Sequence, residues 1–199
     1  MSMLELDQEF WDSKYREKSF GWDLGEISPP LKEYFNQLED KNIAILIPGC
    51  GNSYETHYLL EMGFTNITLI DISPTLTNEL RNKFKNNKSV KIMCEDFFGH
   101  NDQYDLVVEQ TFFCAINPTL REKYCVKTKQ LLSKNGKLAG LLFDIVFEKA
   151  GPPFGGSKEE YTLLFSKYFN IKTIENCYNS FFKRANTELF FIAHQKRTE

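Results

Sequence analysis

Residues 43–55 read IAILIPGCGNSYE, and this stretch decides the fold of the chain. Its first five residues form an uninterrupted apolar, β-prone run, which is typical of a strand buried on both faces of a parallel sheet. Two glycines, Gly49 and Gly51, follow the strand, and a helical pattern then runs over 54–62 until Gly63 ends it. A glycine turn between a buried strand and a helix N-terminus predicts a ligand site, since the backbone there can approach a bound molecule closely.

The alternation of strand and helix continues in both directions from this stretch. Upstream, two short amphipathic helices are predicted, one over 5–18 and one that Ser28 caps and Pro29 and Pro30 open. Downstream, the predicted strands are 67–70, 90–94, 104–109 and 137–143, and the predicted helices are 74–84, 118–133 and 157–168. The last two strands, 171–178 and 188–194, are joined by nine residues without a helix, so we expect them to pair antiparallel.

This order of elements predicts an α/β fold. We expect a seven-stranded, Rossmann-like sheet of the class I methyltransferase kind, mostly parallel with an antiparallel C-terminal strand and with helices on both faces. A length of 199 residues fits a single domain. Within residues 1–199 we expect an N-terminal helical lid over 1–40 and an α/β core over 41–199.

The composition excludes several functional classes. A formal net charge of −3 and a pI near 5.7 argue against a nucleic-acid or membrane partner, so the lysines over 83–91 are expected to form a solvated surface. No apolar run approaches the roughly 20 residues that span a bilayer, and the N-terminus lacks a signal-peptide pattern. We therefore expect a cytoplasmic protein that acts on a small molecule, and a monomer, because no heptad repeat or exposed apolar helix is apparent.

The residue types that hold metals or act as nucleophiles are scattered along the chain. Five cysteines occur without a Cys-x-x-Cys pair, and three histidines are isolated, so we expect buried, reduced thiols, no metal and no catalytic side chain. Aromatic residues make up 15% of the chain. Four adjacent Phe pairs, at 97–98, 112–113, 181–182 and 190–191, need an explanation, because neighbouring residues of a strand point to opposite faces.

The glycine turn itself indicates which ligand it binds. In a dinucleotide-binding fingerprint a third glycine allows the close packing that a pyrophosphate requires, and Tyr54 stands at that position here. S-adenosylmethionine carries no phosphate and does not need this glycine. Gly49, Cys50 and Gly51 are therefore predicted to bind S-adenosylmethionine rather than NAD.

Acidic residues at the ends of the next three strands extend the predicted cofactor site. Asp71, followed by Ile72, ends the second strand, where its carboxylate would accept hydrogen bonds from both ribose hydroxyls. After the third strand, Asp96 would accept from the adenine amino group while Phe97 packs on the edge of the ring. Glu109 ends the fourth strand and would pair with the methionine amino group or balance the sulfonium charge, since a buried carboxylate without a partner is costly.

Taken in order, these motifs resemble the thiopurine S-methyltransferase family, and more closely its branch of plant-type halide and thiol methyltransferases. The resemblance runs from residue 10 to about 195. Its matching segments are Phe10-Trp11-Asp12-x-x-Tyr15, Trp22-Asp23-x-Gly25-x-x-Ser28-Pro29, Ile47-Pro48-Gly49-Cys50-Gly51, Asp71-Ile72-Ser73, Asp96-Phe97-Phe98, Glu109-x-x-Phe112-Phe113-Cys114-Ala115-Ile116-x-Pro118-x-x-Arg121 and Gly151-Pro152-Pro153.

The resemblance implies a role for several aromatic and charged residues. It implies that Trp11, Tyr15 and Trp22 contact the cofactor from the N-terminal lid, where aromatic faces suit a sulfonium cation. It places Arg121 near the methyl acceptor, where it would attract an anion or a thiolate, and we expect Phe113 to face the same ligand. The segment Phe143-Asp144 departs from the Tyr-Pro step of plant-type relatives, so the shape of the acceptor pocket is expected to differ from theirs.

The hypothesis that follows is methylation of a small soft nucleophile, such as a thiol, thiocyanate, bisulfide or halide, with S-adenosylhomocysteine as product. Such nucleophiles need orientation and exclusion of water more than a base. Methylation of an oxygen or nitrogen in another small metabolite is an alternative and would require a base, for which only Glu109, Asp144 or Tyr15 is available. A second alternative is a non-catalytic module that binds S-adenosylmethionine or NAD. The sequence leaves the physiological acceptor open.

Overall fold

The computed structural model describes residues 5–149 and 151–196. The helices are α1 (Gln8–Arg16), α2 (Pro29–Asn36), α3 (Tyr54–Glu61), α4 (Pro74–Lys83), α5 (Arg121–Leu131) and α6 (Lys158–Phe165). The strands are β1 (Ile45–Pro48), β2 (Ile67–Asp71), β3 (Val90–Cys94), β4 (Tyr104–Gln110), β5 (Leu132–Phe143), β6 (Phe169–Asn176) and β7 (Glu188–Gln195). Short 3₁₀ turns lie at Pro118–Leu120 and Phe182–Arg184.

The seven strands form one sheet in the order β3-β2-β1-β4-β5-β7-β6. The first five strands pair in parallel, while β7 lies between β5 and β6 and runs antiparallel to both. The mostly parallel sheet with its antiparallel final strand confirms the fold predicted from the sequence. Because the chain winds outward in opposite directions from β1 and β4, the carboxyl ends of these two strands border a crevice.

Two apolar clusters cover the two faces of the sheet. One contains side chains of α5 and α6 with Phe191 of β7, and the other contains side chains of α2, α3 and α4 with Phe190 packed against it. The pair 190–191 is therefore explained by a strand that is covered on both faces. Phe182, by contrast, is 73% exposed, so the pair 181–182 does not belong to the core in the same way.

The predicted end of the helix over 118–133 is wrong, and the cause is local. The helix predicted over 118–133 begins with the 3₁₀ turn and ends at Leu131, and Asn135-Gly136 lies inside β5 instead of ending a helix. The pairing of β4 with β5 shifts at this point, and a Cβ on Gly136 would lie 2.8 Å from the carbonyl oxygen of Tyr104, so glycine is needed for the irregular pairing. Ser28 is the N-cap of α2 as predicted, but its side chain donates to Gln110 Oε1 at 3.3 Å and not to the first turn of the helix.

Three sequence expectations concern a membrane-spanning helix, a metal site and the state of the cysteines. Over 5–149 and 151–196, no helix is both long and apolar enough to cross a membrane. Within the same ranges no group of three or more His, Cys, Asp or Glu side chains is placed to hold a metal ion. All five cysteines are free; four of them are buried, as the sequence predicts, whereas Cys94 is only partly buried.

We expect Phe191→Ala to lower the free energy of unfolding by about 3–5 kcal/mol, because the side chain is 1% exposed and its loss leaves a cavity between β7 and α6. Urea denaturation measures this change. Phe182→Ala is the matched control and should change the free energy of unfolding by less than about 0.5 kcal/mol. Equal destabilisation by the two substitutions would contradict the assignment of β7 as a strand buried on both faces.

Candidate functional site

The predicted cofactor residues lie on loops that leave the carboxyl ends of neighbouring strands. β1 leads into the glycine turn, β2 into Asp71 and Ile72, and β3 into Asp96 and Phe97, while Glu109 lies near the end of β4. The structure thus brings these residues to one edge of the sheet. Ligands of open α/β sheets bind at this edge, where the winding of the chain reverses between β1 and β4.

The two glycines of the turn differ in what approaches them. Both adopt the left-handed backbone region, with φ of +55° at Gly49 and +51° at Gly51. A Cβ on Gly49 would lie 2.3 Å from a ring carbon of Phe112, so the close approach at this glycine is made by an aromatic side chain. A Cβ on Gly51 would meet only the hydroxyl of Tyr15, at 3.7 Å. A ligand therefore has room to approach the backbone at Gly51, whereas the ring of Phe112 fills the corresponding space at Gly49.

Asp71 is a buried carboxylate in the centre of the site and is only 7% exposed. Its Oδ1 accepts from the backbone N–H of Ser73 at 3.0 Å, and its Oδ2 accepts a long hydrogen bond from Gly51 N–H at 3.5 Å. Burial raises the pKa of Asp71 to about 6, although these backbone donors oppose the shift. Oδ2 is thus weakly satisfied and able to accept another donor.

The loop after β3 holds its two predicted residues in different environments. Asp96 is exposed, and its Oδ1 accepts from the N–H of Phe98 at 2.9 Å, which fixes the turn. Phe97 is 3% exposed, stacks on Tyr124 with 5.5 Å between ring centroids, and meets Phe112 edge-on at 5.2 Å. Asp96 is accessible to a ligand, while Phe97 anchors the loop in the core.

Glu109 is 1% exposed and holds the loop that follows β4. Its Oε1 accepts from the N–H groups of Phe112 and Phe113, both at 2.8 Å, and its Oε2 accepts from the hydroxyl of Tyr124 at 2.8 Å. Burial raises the pKa of Glu109 to about 7, against the effect of these donors. The structure gives this carboxylate a loop-fixing role, and its contact with a cofactor stays a prediction.

The three aromatic residues of the predicted lid form one cluster above the glycine turn. Trp22 meets Trp11 edge-on at 5.6 Å and Tyr15 at 6.0 Å between ring centroids. Tyr15 is 8% exposed, and burial, with Asp71 and Cys50 nearby, holds its pKa well above the usual value. The hydroxyl of Tyr15 is therefore neutral near pH 7 and is not available as a phenolate base.

Asp12 attaches the lid helix α1 to the start of α4. Its Oδ1 accepts from Ser73 Oγ at 2.6 Å and from Thr75 N–H at 2.8 Å, while its Oδ2 accepts from Arg16 at 2.7 Å. Burial opposes ionisation, but these hydrogen bonds and the charge of Arg16 outweigh it and lower the pKa of Asp12. The carboxylate thus fixes Trp11 and Tyr15, its neighbours on α1, next to the Asp71 loop.

Two further contacts hold the segment between α1 and α2. Asp23 accepts from Asn52 Nδ2 and, at 3.0 Å, from the hydroxyl of Tyr54, so it binds the residues that follow the glycine turn. Arg184, in the connection between β6 and β7, donates from Nη2 to the carbonyl oxygen of Trp22 at 2.7 Å. The lid is therefore attached to both halves of the sheet.

The two residues predicted to bind the acceptor lie together at the start of α5. Arg121 donates from Nη2 to the carbonyl oxygens of Phe154 and Gly155, at 3.1 and 2.8 Å. Its guanidinium lies over the rings of Phe113 and Tyr161, at 4.8 and 5.7 Å. Phe113 is 1% exposed, so both residues build the wall of this region, and direct contact with an acceptor stays a prediction.

The comparison with known families follows from this geometry. The family described as thiopurine S-methyltransferase matches residues 6–195, which includes the lid, the glycine turn and the final strand. The chain belongs to the thiopurine S-methyltransferase family.

The relatives of this chain include thiol, thiopurine and thiocyanate methyltransferases. A probable thiol methyltransferase 2 of Arabidopsis thaliana is 30% identical over 164 residues, which cover 80% of this chain and 72% of the relative. A thiopurine S-methyltransferase of Vibrio parahaemolyticus is 29% identical over 182 residues, which cover 81% of this chain and 83% of the relative. A thiocyanate methyltransferase 1 of Brassica oleracea is 25% identical over 156 residues, with 75% and 68% covered.

Solved structures of distant sequence share the fold of this family member. A 1,6-didemethyltoxoflavin-N1-methyltransferase of Burkholderia thailandensis, solved with S-adenosylhomocysteine, has a TM-score of 0.74 at 16% identity, covering 96% of this chain and 87% of that one. A magnesium protoporphyrin IX methyltransferase of Synechocystis, solved with bound cofactor, has a TM-score of 0.75 at 11% identity, covering 98% and 100%. At these identities the likeness establishes the fold alone.

The sequence does not predict the roles of several charged residues in the site of this family member. Asp12 and Asp23 lie within segments that resemble the family, but the sequence predicts no role for them, and no motif marks Arg184 or Glu188. One signal for Asp12 exists in the sequence: it lies between Trp11 and Tyr15 on the apolar face of a predicted helix, where an unpaired carboxylate would be costly. Arg184 gives no such signal because its partner Trp22 lies 162 residues away in the chain, and the pairing of Arg184 with Glu188, four residues apart, follows no helical or strand pattern in the sequence.

We expect Asp12→Ala to release the lid, because it removes the acceptor for Ser73, Thr75 and Arg16 at once. Hydrogen exchange should show faster exchange of the amides of α1, and the free energy of unfolding should fall by about 2–3 kcal/mol. Glu9→Ala is the control, since Glu9 also pairs with Arg16 but is 74% exposed, and it should change little. Unchanged exchange of α1 in Asp12→Ala would contradict this role.

Glu109→Gln should make stability less dependent on pH. A carboxyl group whose pKa is raised on folding holds its proton more strongly in the native state, so stability falls as pH rises from about 4.5 to about 7. Gln keeps an oxygen for the two amides but does not titrate, and it should reduce the slope by up to about 1.4 kcal/mol per pH unit in that interval. Urea denaturation from pH 5 to 8 measures the slope, and identical slopes in both proteins would contradict the burial of an ionisable Glu109.

Proposed function

We propose that the chain transfers a methyl group from S-adenosylmethionine to a small soft nucleophile, a thiol, thiocyanate, bisulfide or halide. The observation that carries this proposal is the buried, weakly satisfied Oδ2 of Asp71, located between the glycine turn and the aromatic lid. Family membership supports the reaction type, and the relatives' names include thiol, thiocyanate and thiopurine methyltransferases.

The residues present fit S-adenosylmethionine. Asp71 needs a donor for Oδ2, and ribose hydroxyls are donors. Gly51 leaves the turn open on the side of the lid, and the exposed carboxylate of Asp96 is fixed on the next loop, where it can accept from an adenine amino group. When bound, the cofactor supplies an electrophilic methyl group on a sulfonium cation.

The aromatic lid contributes binding energy and keeps water out. The faces of Trp11, Tyr15 and Trp22 suit a cation, and each desolvated contact of this kind contributes about 0.5–2 kcal/mol. The lid is held by Asp12, Asp23 and Arg184, so the rings are positioned before the ligand arrives. In a preformed, dry site an anionic nucleophile becomes more reactive, because it loses part of its hydration shell on entry.

The acceptor needs orientation rather than deprotonation, because a soft anion attacks a sulfonium in line without a base. The three bases considered for oxygen or nitrogen methylation are all engaged elsewhere. Tyr15 is neutral, Glu109 holds its own loop, and Asp144 Oδ1 accepts from Lys158 N–H at 3.0 Å at the start of α6. No contact in the described residues therefore favours that alternative. Arg121 supplies positive charge to this region while its hydrogen bonds hold the 154–155 backbone.

We further propose that the protein works as a cytoplasmic monomer on small molecules, without a nucleic-acid or membrane partner. The formal net charge of −3 supports this, because it provides no excess of basic residues for a phosphate backbone or an anionic bilayer.

Asp71→Asn should weaken S-adenosylmethionine binding by about ten- to a hundredfold, the range expected for hydrogen bonds to a charged acceptor. Isothermal titration calorimetry measures the Kd. Asp102→Asn is the matched control and should leave the Kd unchanged. Asp102 is half exposed and lies in the connection that leads into β4, at the amino end of this strand and not at its carboxyl end. An unaltered Kd in Asp71→Asn would remove the assignment of the cofactor site.

The acceptor is identified by a panel of thiols, bisulfide, thiocyanate, iodide and phenols with methyl-labelled S-adenosylmethionine. We expect label to appear in the sulfur or halide products. Turnover restricted to phenols would reject a soft nucleophile as the acceptor.

A further inference from the structure

A small cavity lies at the carboxyl ends of β4 and β5, beside the proposed cofactor site. Its volume is about 10 Å³, which is room for one group of the size of a water molecule. Most of its wall is apolar. The lining residues are Thr111, Phe113, Cys114, Leu141, Leu142, Phe143, Tyr161 and Glu188.

Glu188 is the charged residue of this lining, and one of its oxygens is unsatisfied. It is the first residue of β7, opposite Phe143 at the end of β5, and its side chain is 2% exposed. Oε1 accepts from Arg184 Nη1 at 3.3 Å, whereas Oε2 has no hydrogen-bond partner among the described residues. Burial raises the pKa of Glu188, although Arg184 and the nearby hydroxyl of Ser180 oppose the shift, and the geometry of Ser180 falls short of a hydrogen bond.

The surroundings of Glu188 explain why this oxygen stays available. The guanidinium of Arg184 lies over the ring of Phe143 at 5.2 Å and donates to the lid at Trp22, so it is fixed on the Oε1 side of the carboxylate. On the cavity side, the thiol of Cys114 donates to the carbonyl oxygen of Thr111 at 3.2 Å. A buried carboxylate oxygen without a donor is costly, and an arriving hydrogen-bond donor would recover that cost.

We propose that this cavity is a subsite for the methyl acceptor, in which Glu188 Oε2 accepts a hydrogen bond from an O–H or N–H group that the acceptor carries beside its sulfur. The inference rests on the proposed function and narrows its range of substrates. Thiocyanate and halide ions have no donor and would face a carboxylate of like charge. The site is therefore built for a small organic thiol with a hydroxyl or amino group.

The test compares 2-mercaptoethanol with 1-propanethiol, which differ by a hydroxyl in place of a methyl group. The quantity to follow is the ratio of their kcat/KM values and its change on substitution, since the two thiols also differ in acidity. In Glu188→Gln, Arg184 holds the amide oxygen and leaves the NH₂ group in the cavity, where it cannot accept. The ratio should fall by about tenfold or more relative to the wild-type protein.

Controls separate recognition from a structural role. Glu175→Gln removes a carboxylate from the same hairpin at a position that is 71% exposed, and its ratio should equal that of the wild-type protein. Turnover of thiocyanate should not fall in Glu188→Gln. An unchanged ratio, or an equal loss with all acceptors including thiocyanate, would overturn the proposal.

Two further measurements keep the outcome decisive. If Glu188→Gln does not fold, the wild-type protein is assayed with 2-methoxyethanethiol, which lacks the donor; strong preference for 2-mercaptoethanol supports the subsite and equal turnover overturns it. If the wild-type protein methylates no acceptor, the proposed function fails. The subsite is then tested by NMR titration of the two thiols in the presence of S-adenosylhomocysteine. Tighter binding of 2-mercaptoethanol than of 1-propanethiol, with the difference lost in Glu188→Gln, supports the subsite. Equal binding of the two thiols to the wild-type protein overturns it.

Discussion

The hydrogen bonds of Glu109 are the interaction on which the rest of the site depends. One carboxylate oxygen accepts from two successive amides, and the other accepts from Tyr124 of α5, so the loop after β4 has a fixed path. That path seats Phe112 against Gly49 and Phe113 beneath Arg121. It also places the wall of the small cavity at 111–114. A single buried acid thus determines the shape of both the cofactor side and the acceptor side.

The large number of aromatic residues serves two purposes that composition alone does not separate. Rings on the side of α5 and α6 pack around Phe165 and contribute to the core, with Phe113 edge-on at 5.5 Å and Phe191 tilted at 5.3 Å between ring centroids. Rings of the lid pack edge-on against one another beside the buried carboxylate of Asp71. Edge-to-face packing stabilises both clusters beyond the burial of their area. The lid therefore has the rigidity of a core although it lies over a binding site.

The fold could be predicted from the sequence because its signals are local. Buried β-prone runs, glycine and proline at helix ends, and a nine-residue connection before β7 each act within a few residues of chain. The same holds for Asp71, whose place at a strand end follows from the strand itself. The orientation of Glu109, the attachment of the lid by Asp12, and the hydrogen bond from Arg184 to Trp22 depend on partners supplied by tertiary packing. The spacing of apolar residues along the chain carries no information about these contacts. It also does not predict the bulge at Gly136, which depends on the neighbouring backbone of Tyr104.

The position of β7 has a consequence for biosynthesis. This strand is the last of the described strands along the chain, yet it lies between β5 and β6 and pairs with both. Until it has left the ribosome, β5 has an unpaired apolar edge and β6 has no neighbour in the sheet. Such an edge can join with that of another nascent chain. Synthesis of β7 therefore completes the sheet, and any delay before it exposes the growing chain to aggregation.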